Sequence, residues 1–128
     1  MNAREWVELS KETGWPIRIF KNKKAAVAAQ GLDETTCVVR YLRRTAIELI
    51  RRQVFLRDAF KCAKCGQELT WDTAEMDEKQ ARGKVRQDDD GTYHSGEISV
   101  ANGQTMCRVC HTGPGGKHDR TPQFSNGR

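Results

Sequence analysis

Two Cys-x-x-Cys pairs constrain this chain more than any other feature of its sequence. The first pair is Cys62 and Cys65, and the second is Cys107 and Cys110. This spacing presents two thiolates to one tetrahedral zinc ion, and two such pairs complete a shell of four sulfur ligands. Such a closed shell leaves no coordination position open for a substrate. The sequence therefore predicts one structural Zn²⁺ site, and places any catalytic chemistry between the pairs or at His111.

The composition agrees with a small domain that depends on a metal. The chain has 128 residues, of which 37% are hydrophobic and 30% are charged, so its apolar core has to be small. Neither a membrane-spanning run nor an export signal is visible. Paired cysteines without export predict zinc rather than disulfides, and a cytoplasmic location without a membrane partner. The fifth cysteine, Cys37, is typical of a small apolar residue.

The net charge of +5 predicts a polyanionic partner. The excess of positive charge lies before the first cysteine pair, where DNA phosphates are the expected ligands. A solvated face is the alternative interpretation. The candidate contacts are a basic loop and one flank of a predicted helix, namely Lys21, Lys23, Lys24, Arg40, Arg44 and Arg51.

The pattern of elements predicts an α+β chain in three parts. Residues 1–56 are expected to form a basic, mainly helical extension, with a short helix over 25–30 and a long helix from 33 or 34 to 58. Residues 57–120 are expected to form the zinc-bearing domain. Its predicted strands lie near 69–76 and over 97–100, and a helix from about Gly103 carries the second cysteine pair. Residues 121–128 read as a flexible tail.

Several short motifs around the cysteines resemble the HNH endonuclease family, in its zinc-braced form common in phages. Each motif is weak alone, but their order and spacing are specific, and they cover about half of the chain. In order they are Arg57-Asp58-x3-Cys62-x2-Cys65-Gly66, Ala74-Glu75-Met76-Asp77-Glu78, Arg82-Gly83, Gly96-Glu97-Ile98-Ser99-Val100-x-Asn102 and Cys107-x2-Cys110-His111.

This resemblance implies a ββα-metal fold and a metal-dependent DNA endonuclease. Carried over by position, Asp77 and His111 bind a catalytic Mg²⁺ or Mn²⁺, Glu78 activates water, and Asn102 orients the loop. Arg82 and Lys84 then lie near the cleavage site. The expected reaction nicks or cuts DNA and leaves 5′-phosphate and 3′-hydroxyl ends. The family also suggests a role in phage DNA packaging or a mobile element, with a terminase as partner.

Glu78 departs from the family pattern, which commonly has a histidine at this position. A glutamate with an ordinary pKa near 4.3 is a poorer base at pH 7 than histidine, unless burial or the neighbouring Asp77 raises its pKa. Three interpretations stay open: Glu78 is the base, or Asp77 and Glu78 both bind metal while His94 or His118 is the base, or the site is inactive. An apparent insertion that includes Asp88-Asp89-Asp90 reads as an acidic hairpin tip.

A protein of another class also fits the sequence. This alternative is a non-catalytic zinc ribbon that binds DNA or a protein and retains a degenerate HNH site. Taken singly, Asp77 and Glu78 read as solvated acids, and His111 reads as a helix cap or a zinc ligand. Metal-dependent cleavage that His111→Ala abolishes separates the nuclease from the binding module.

Overall fold

The computed structural model describes residues 3–80, 97–113 and 115–117, together with the backbone of 85–87 and 93–95. The architecture is α+β, as the sequence predicted. In chain order the elements are β1 (Arg4–Ser10), β2 (Pro16–Ile19), α1 (Lys23–Ala29), β3 (Thr36–Leu42), α2 (Arg43–Arg57), β4 (Ala74–Glu78), β5 (Val85–Gln87), β6 (Tyr93–Ser95), β7 (Ile98–Ser99), β8 (Gly103–Cys107) and α3 (Arg108–His111). None of the helices in these described ranges is long and apolar enough to cross a membrane.

A four-stranded antiparallel sheet forms the first layer, in the order β3-β1-β2-β7. The turn between β1 and β2 contains Gly14 at φ +75°, a backbone conformation that glycine adopts without strain. Val7, at the middle of β1, pairs with Ile19 on one side and Val39 on the other, and it is fully buried. Three of the four strands of this sheet come from residues 1–56, so that part of the chain contains much β-structure.

The prediction of a long helix from residue 33 or 34 is wrong over the first third of that helix, because residues 36–42 form β3. This segment contains Thr36, Val38 and Val39, whose β-branched side chains favour extended backbone. Asp33 precedes it and accepts hydrogen bonds from the Thr35 backbone and hydroxyl at 2.8 and 2.6 Å, in a turn rather than a helix cap. The prediction of a mainly helical extension is wrong for the same reason.

Helix α2 lies at the centre of the fold and joins its two parts. Its buried residues are Ala46, Ile50, Val54 and Phe55. They share one core with residues of the sheet and of the cysteine-bearing part, namely Val7, Ile19, Ala74 and Ile98. The predicted domain boundary at residues 56 and 57 falls in the last turn of α2, and the apolar core spans it.

Two residues with positive φ end α2 and turn the chain toward the first cysteine pair. Ala59 has φ +53° and Phe60 has φ +56°, and the Phe60 amide donates to the Phe55 carbonyl at 3.0 Å. The Asp58 carboxylate then accepts hydrogen bonds from the Thr105 amide and hydroxyl, both at 2.9 Å. Arg57 donates to Asp58 at 2.8 Å and to the Gly103 carbonyl at 2.7 Å. These contacts attach β8 to the end of α2.

Asp58→Asn is expected to destabilise the fold by about 1–3 kcal/mol at neutral pH, because it removes charge-assisted hydrogen bonds. Burial raises the pKa of Asp58, but hydrogen bonds from Arg57 and Thr105 outweigh burial and hold it below its usual value. The folded-state pKa is thus depressed. The stabilisation is present above the unfolded-state pKa, near 3.9, and is lost as pH falls through the folded-state pKa.

Urea unfolding of wild type and Asp58→Asn at pH 7 and at about pH 3 measures this effect. The stability difference should shrink at the lower pH. Asp72→Asn is the matched control, since Asp72 is an exposed acid on the loop before β4. A difference that is equally large at both pH values would contradict this assignment of the Asp58 charge.

The second sheet is an antiparallel pair of β4 and β8, with Asp77 opposite Gln104 and Ala74 opposite Cys107. One prediction for this region is confirmed in part and another is wrong. The strand predicted over 97–100 is present as β7, which pairs with β2, whereas the helix predicted from Gly103 begins only at Arg108. The reason is local packing: a Cβ atom on Gly103 would lie 2.6 Å from Val54 Cγ2, so the glycine lets β8 lie directly against α2.

Candidate metal centre and the acid–histidine cluster

The first cysteine pair lies in a tight knuckle that follows α2. The Cys62 amide donates to the Gln67 carbonyl at 3.0 Å, and the Gly66 amide donates to the Cys62 carbonyl at 2.9 Å. Gly66 has φ +78°, which a residue with a side chain adopts only at a cost. The Ala63 amide donates to the Thr105 carbonyl at 2.8 Å. The knuckle is therefore held against β8, the strand that carries the second pair.

The second pair spans the junction of β8 and α3. Cys107 ends the strand and is the N-cap of α3, where its Sγ accepts a hydrogen bond from the Cys110 amide at 3.4 Å. The Sγ atoms of Cys65 and Cys107 are 3.8 Å apart, and all four cysteine Sγ atoms lie within 4.8 Å of one another. Zinc–sulfur bonds of about 2.3 Å in a tetrahedron place sulfurs about 3.8 Å apart. The cluster can hold a structural metal such as zinc.

The pKa values of two of the four thiols, Cys62 and Cys110, also fit a cation site. Burial raises the pKa of Cys62, but amide donors from Cys65, Cys107 and Lys64 outweigh it and lower that pKa to about 6. The pKa of Cys110 is raised to about 12, first by its hydrogen bond with the Cys107 side chain and then by burial. Without a cation, close thiolates repel one another, and a bound dication removes that repulsion.

A second cluster lies on the face of β4 that is turned toward α3. Side chains alternate along a strand, so Glu75 and Asp77 share this face. His111, the last residue of α3, lies between them: its Nδ1 is 2.8 Å from Glu75 Oε1, and its Nε2 is 3.6 Å from Asp77 Oδ1. Asp77 is 2% exposed. The structure thus brings together the two residues predicted to hold the catalytic cation.

Gln104 and Lys117 complete the surroundings of Asp77. The Gln104 amide and the Lys117 ammonium each donate to Asp77 Oδ2 at 2.6 Å, and Lys117 also donates to the Glu78 carbonyl at 3.0 Å. The sequence analysis missed Glu75, Gln104 and Lys117. Glu75 could have been predicted, because it lies two residues before Asp77 and therefore on the same face of the predicted strand. Gln104 was not, because residues 103–107 were predicted to be helical.

The side chain of Asn102 connects the two ends of the segment between β4 and β7. Its Nδ2 donates to the carbonyls of Gln80 at 3.0 Å and Glu97 at 2.8 Å, and its Oδ1 accepts from the Gln80 amide at 2.9 Å. Glu78, by strand alternation, does not share the α3-facing side with Asp77. Asn102 therefore lies at the base of the loop, next to the end of the strand that carries Asp77 and Glu78.

The basic residues predicted to bind DNA lie at separate places. Lys21, Lys23 and Lys24 are exposed at and before the start of α1, and Arg44 is exposed in the first turn of α2. Arg51 is also on α2, where it bonds to Glu48. The prediction that Arg40 shares a helix flank with Arg44 and Arg51 is wrong, because Arg40 is on β3 and donates to the Arg4 carbonyl at 3.2 Å.

Other predicted residues fall outside the described part of the chain. Arg82, Lys84, His118 and the run Asp88-Asp89-Asp90 are among them, and of His94 only the backbone, in β6, is described. No known family model matches this chain, and neither does a curated protein or a solved structure. The functional conclusion therefore depends on the geometry of the two clusters.

Proposed function

We propose that this protein is a metal-dependent DNA endonuclease of the HNH type. The observation that carries the proposal is the approach of His111 Nε2 to Asp77 Oδ1, at 3.6 Å, on a strand pair followed by a short helix. The cysteine cluster lies at the other end of the same strand pair, where Cys107 is opposite Ala74. A cysteine-braced β4–β8–α3 unit with an acid and a histidine on one face is the arrangement expected of a ββα-metal nuclease.

The donor set of the acid–histidine cluster suits a hard divalent cation. Asp77 offers a carboxylate oxygen and His111 an imidazole nitrogen, and these two residues would hold the ion. A bound Mg²⁺ or Mn²⁺ would neutralise charge on the scissile phosphate and on the leaving oxygen. Burial of Asp77 favours such pairing, since a buried carboxylate needs a compensating charge.

Glu75 has the role of orienting His111. In a neutral imidazole one ring nitrogen carries the proton and the other is an acceptor or ligand. Donation from Nδ1 to Glu75 selects the tautomer in which Nε2, the atom nearest Asp77, carries the lone pair. Carboxylates in this position fix both the tautomer and the ring orientation of metal-binding histidines.

Glu78 is proposed to accept the proton of the attacking water, as its sequence position suggests. Its side chain lies on the other side of β4 from Asp77, so it would have to reach that water around the end of the strand, of which it is the last residue. The proton acceptor must come within hydrogen-bond reach of that water when DNA is bound. His94 and His118 are the alternative bases. To identify the base, each of the three residues is substituted in turn and the DNA cleavage rate is measured at pH 7 with saturating DNA. The substitution that removes the base lowers this rate most.

One observation favours the second candidate, a non-catalytic zinc-ribbon module that binds DNA or a protein. The Lys117 ammonium lies 2.6 Å from Asp77 Oδ2 and compensates the buried carboxylate without a metal ion. On this interpretation the acid–histidine cluster is structural. Its residues would stabilise the packing of α3 against β4 and would take no part in chemistry.

Incubation of the zinc-loaded protein with supercoiled plasmid, across a range of Mg²⁺ and Mn²⁺ concentrations, tests the proposal. We expect nicked and linear products that require the added cation, with nicks that DNA ligase seals because their ends are 5′-phosphate and 3′-hydroxyl. The same protein without added Mg²⁺ or Mn²⁺ is the control. Retention of plasmid in a mobility shift, with no product under either metal, would instead support the binding module. The packaging role and the terminase partner stay predictions from the resemblance.

A further inference from the structure

A cluster of three aromatic residues lies where α2, the first knuckle and the loop before β4 meet. Phe55 is fully buried, and its ring centroid is 6.0 Å from that of Phe60 and 6.2 Å from that of Trp71. Phe60 and Trp71 pack edge to face at 4.6 Å. Trp71 is nevertheless 47% exposed. Phe55 and Phe60 therefore pack against an indole ring that is about half exposed to solvent.

A hydrogen-bonded turn holds Trp71 in this position. The Thr70 amide donates to Thr73 Oγ1 at 2.8 Å, and the Ala74 amide donates to the Thr70 carbonyl at 2.9 Å. The residue that follows the turn, Ala74, begins β4 and is buried. A ligand that stacks on Trp71 thus meets a ring already ordered, and ordering it costs little entropy on binding.

Arg52 provides a positive charge over a face of this ring, so a base that stacks on that face has to move the guanidinium aside. Its guanidinium carbon lies 5.8 Å from the centroid of Trp71. The Arg52 side chain is paired with Glu48 at 3.3 Å, and the two side chains are 51% and 46% exposed. Exposed ion pairs of this kind contribute little free energy, so a phosphate can replace the carboxylate at small cost. Arg51, the neighbouring residue on α2, shares the same Glu48.

We infer that Trp71 and Arg52 form a binding surface for single-stranded nucleic acid, named here the Trp71 surface. An unpaired base stacks on an exposed indole, while the adjacent phosphate pairs with arginine. A duplex cannot use the ring in this way, because its bases are stacked on one another. The net charge of +5 favours a polyanion over a protein partner. Binding at the Trp71 surface requires no catalytic cation, so it stands whether or not the proposed nuclease activity does.

Fluorescence anisotropy with labelled oligonucleotides tests the inference without added Mg²⁺ or Mn²⁺. The probes are oligodeoxythymidylate, oligouridylate of the same length, and the oligodeoxythymidylate–oligodeoxyadenylate duplex. We expect the single strands to bind more tightly than the duplex, and a comparison of the first two probes separates DNA from RNA as the preferred strand. Equal or tighter binding of the duplex would overturn the inference.

Two substitutions of Trp71 separate stacking from packing. Trp71→Leu keeps an apolar side chain against Phe60 but removes the flat ring, and it should weaken single-strand binding by about tenfold. Trp71→Phe keeps a ring and should lose less affinity. The matched control is Trp6→Leu, since Trp6 also lies beside an arginine guanidinium, that of Arg40 at 5.2 Å. Thermal unfolding of each variant confirms that it is folded at the assay temperature.

Further outcomes also bear on the inference. Wild-type affinity in Trp71→Leu, or an equal loss in Trp6→Leu, would overturn it. Arg52→Gln should reduce single-strand affinity and lower the slope of affinity against salt concentration, because one phosphate contact is lost. Self-association of the wild type that Trp71→Leu abolishes, without an effect on oligonucleotide affinity, would assign the surface to a second copy of the chain and refute the inference.

Discussion

Cys107→Ser is expected to abolish structural metal binding and to unfold the cysteine-bearing part of the chain. Cys107 is 5% exposed, its Sγ lies 3.8 Å from that of Cys65, and it also accepts the amide of Cys110. Because a structural zinc site supplies folding free energy of about 10 kcal/mol or more, losing one ligand removes most of this stabilisation. We expect the zinc content to fall from one per chain to near zero, and the midpoint of thermal unfolding to fall by about 10 °C or more.

Metal content by mass spectrometry or atomic absorption, together with thermal unfolding with and without a chelator, measures this effect. Cys37→Ser is the matched control, because Cys37 is partly buried in β3 and is the one cysteine of the chain outside the cluster. A chelator should lower the unfolding midpoint of wild type and of Cys37→Ser, but not that of Cys107→Ser. Full zinc content in Cys107→Ser would show that the cluster does not bind the metal as described.

His111→Ala is expected to lower the cation-dependent cleavage rate by about 1000-fold, if the protein is the nuclease proposed above. His111 offers Nε2 to the same space as Asp77 Oδ1, so its loss removes one of the two cation ligands and several kcal/mol of transition-state stabilisation. Glu75→Gln should have a smaller effect, about 10–100-fold, because Glu75 orients the ligand without being one.

Two further measurements distinguish the loss of a catalytic ligand from a loss of folded structure. Zinc content and DNA affinity should be unchanged in His111→Ala, since four cysteines complete the structural site without it. A histidine that served as a structural ligand would give the opposite result, with zinc lost together with activity. Cleavage at the wild-type rate in His111→Ala would refute the proposed role. Glu78→Gln, compared with substitutions of His94 and His118, then identifies the base.

The candidate site was predictable where its signal is local in the sequence. The Cys-x-x-Cys spacing identifies pairs of thiols that converge, and in the structure all four Sγ atoms lie within 4.8 Å of one another. Asp77 and His111 were predicted from the resemblance of the surrounding motifs to the HNH family, and both lie on the same side of the β4–β8 pair. Gln104 and Lys117 were not predictable, because their contact with Asp77 depends on strand register and on the path of the chain after α3.

The errors in the fold arise from pairing between distant segments. Residues 36–42 have apolar residues at spacings that fit a helix, but β1 pairs with them along their whole length and makes them a strand. Residues 103–107 were predicted to begin a helix, and they form a strand instead because β4 pairs with them along their whole length. Helix and strand preferences differ by less than the free energy of such pairing and burial, so tertiary contacts decide the outcome.

The sequence by itself therefore determined the two converging cysteine pairs and the α+β class, and its resemblance to a known family singled out Asp77 and His111. The cysteine pairs and the α+β class depend on residue types at short spacing, which are visible before the chain folds. The tertiary structure alone decided that both parts of the chain share one core around α2, that β8 pairs with β4, and that Glu75 and Lys117 contact the acid–histidine pair. Those features require a partner far along the chain, and the free energy that selects it comes from burial and hydrogen bonding in the folded state.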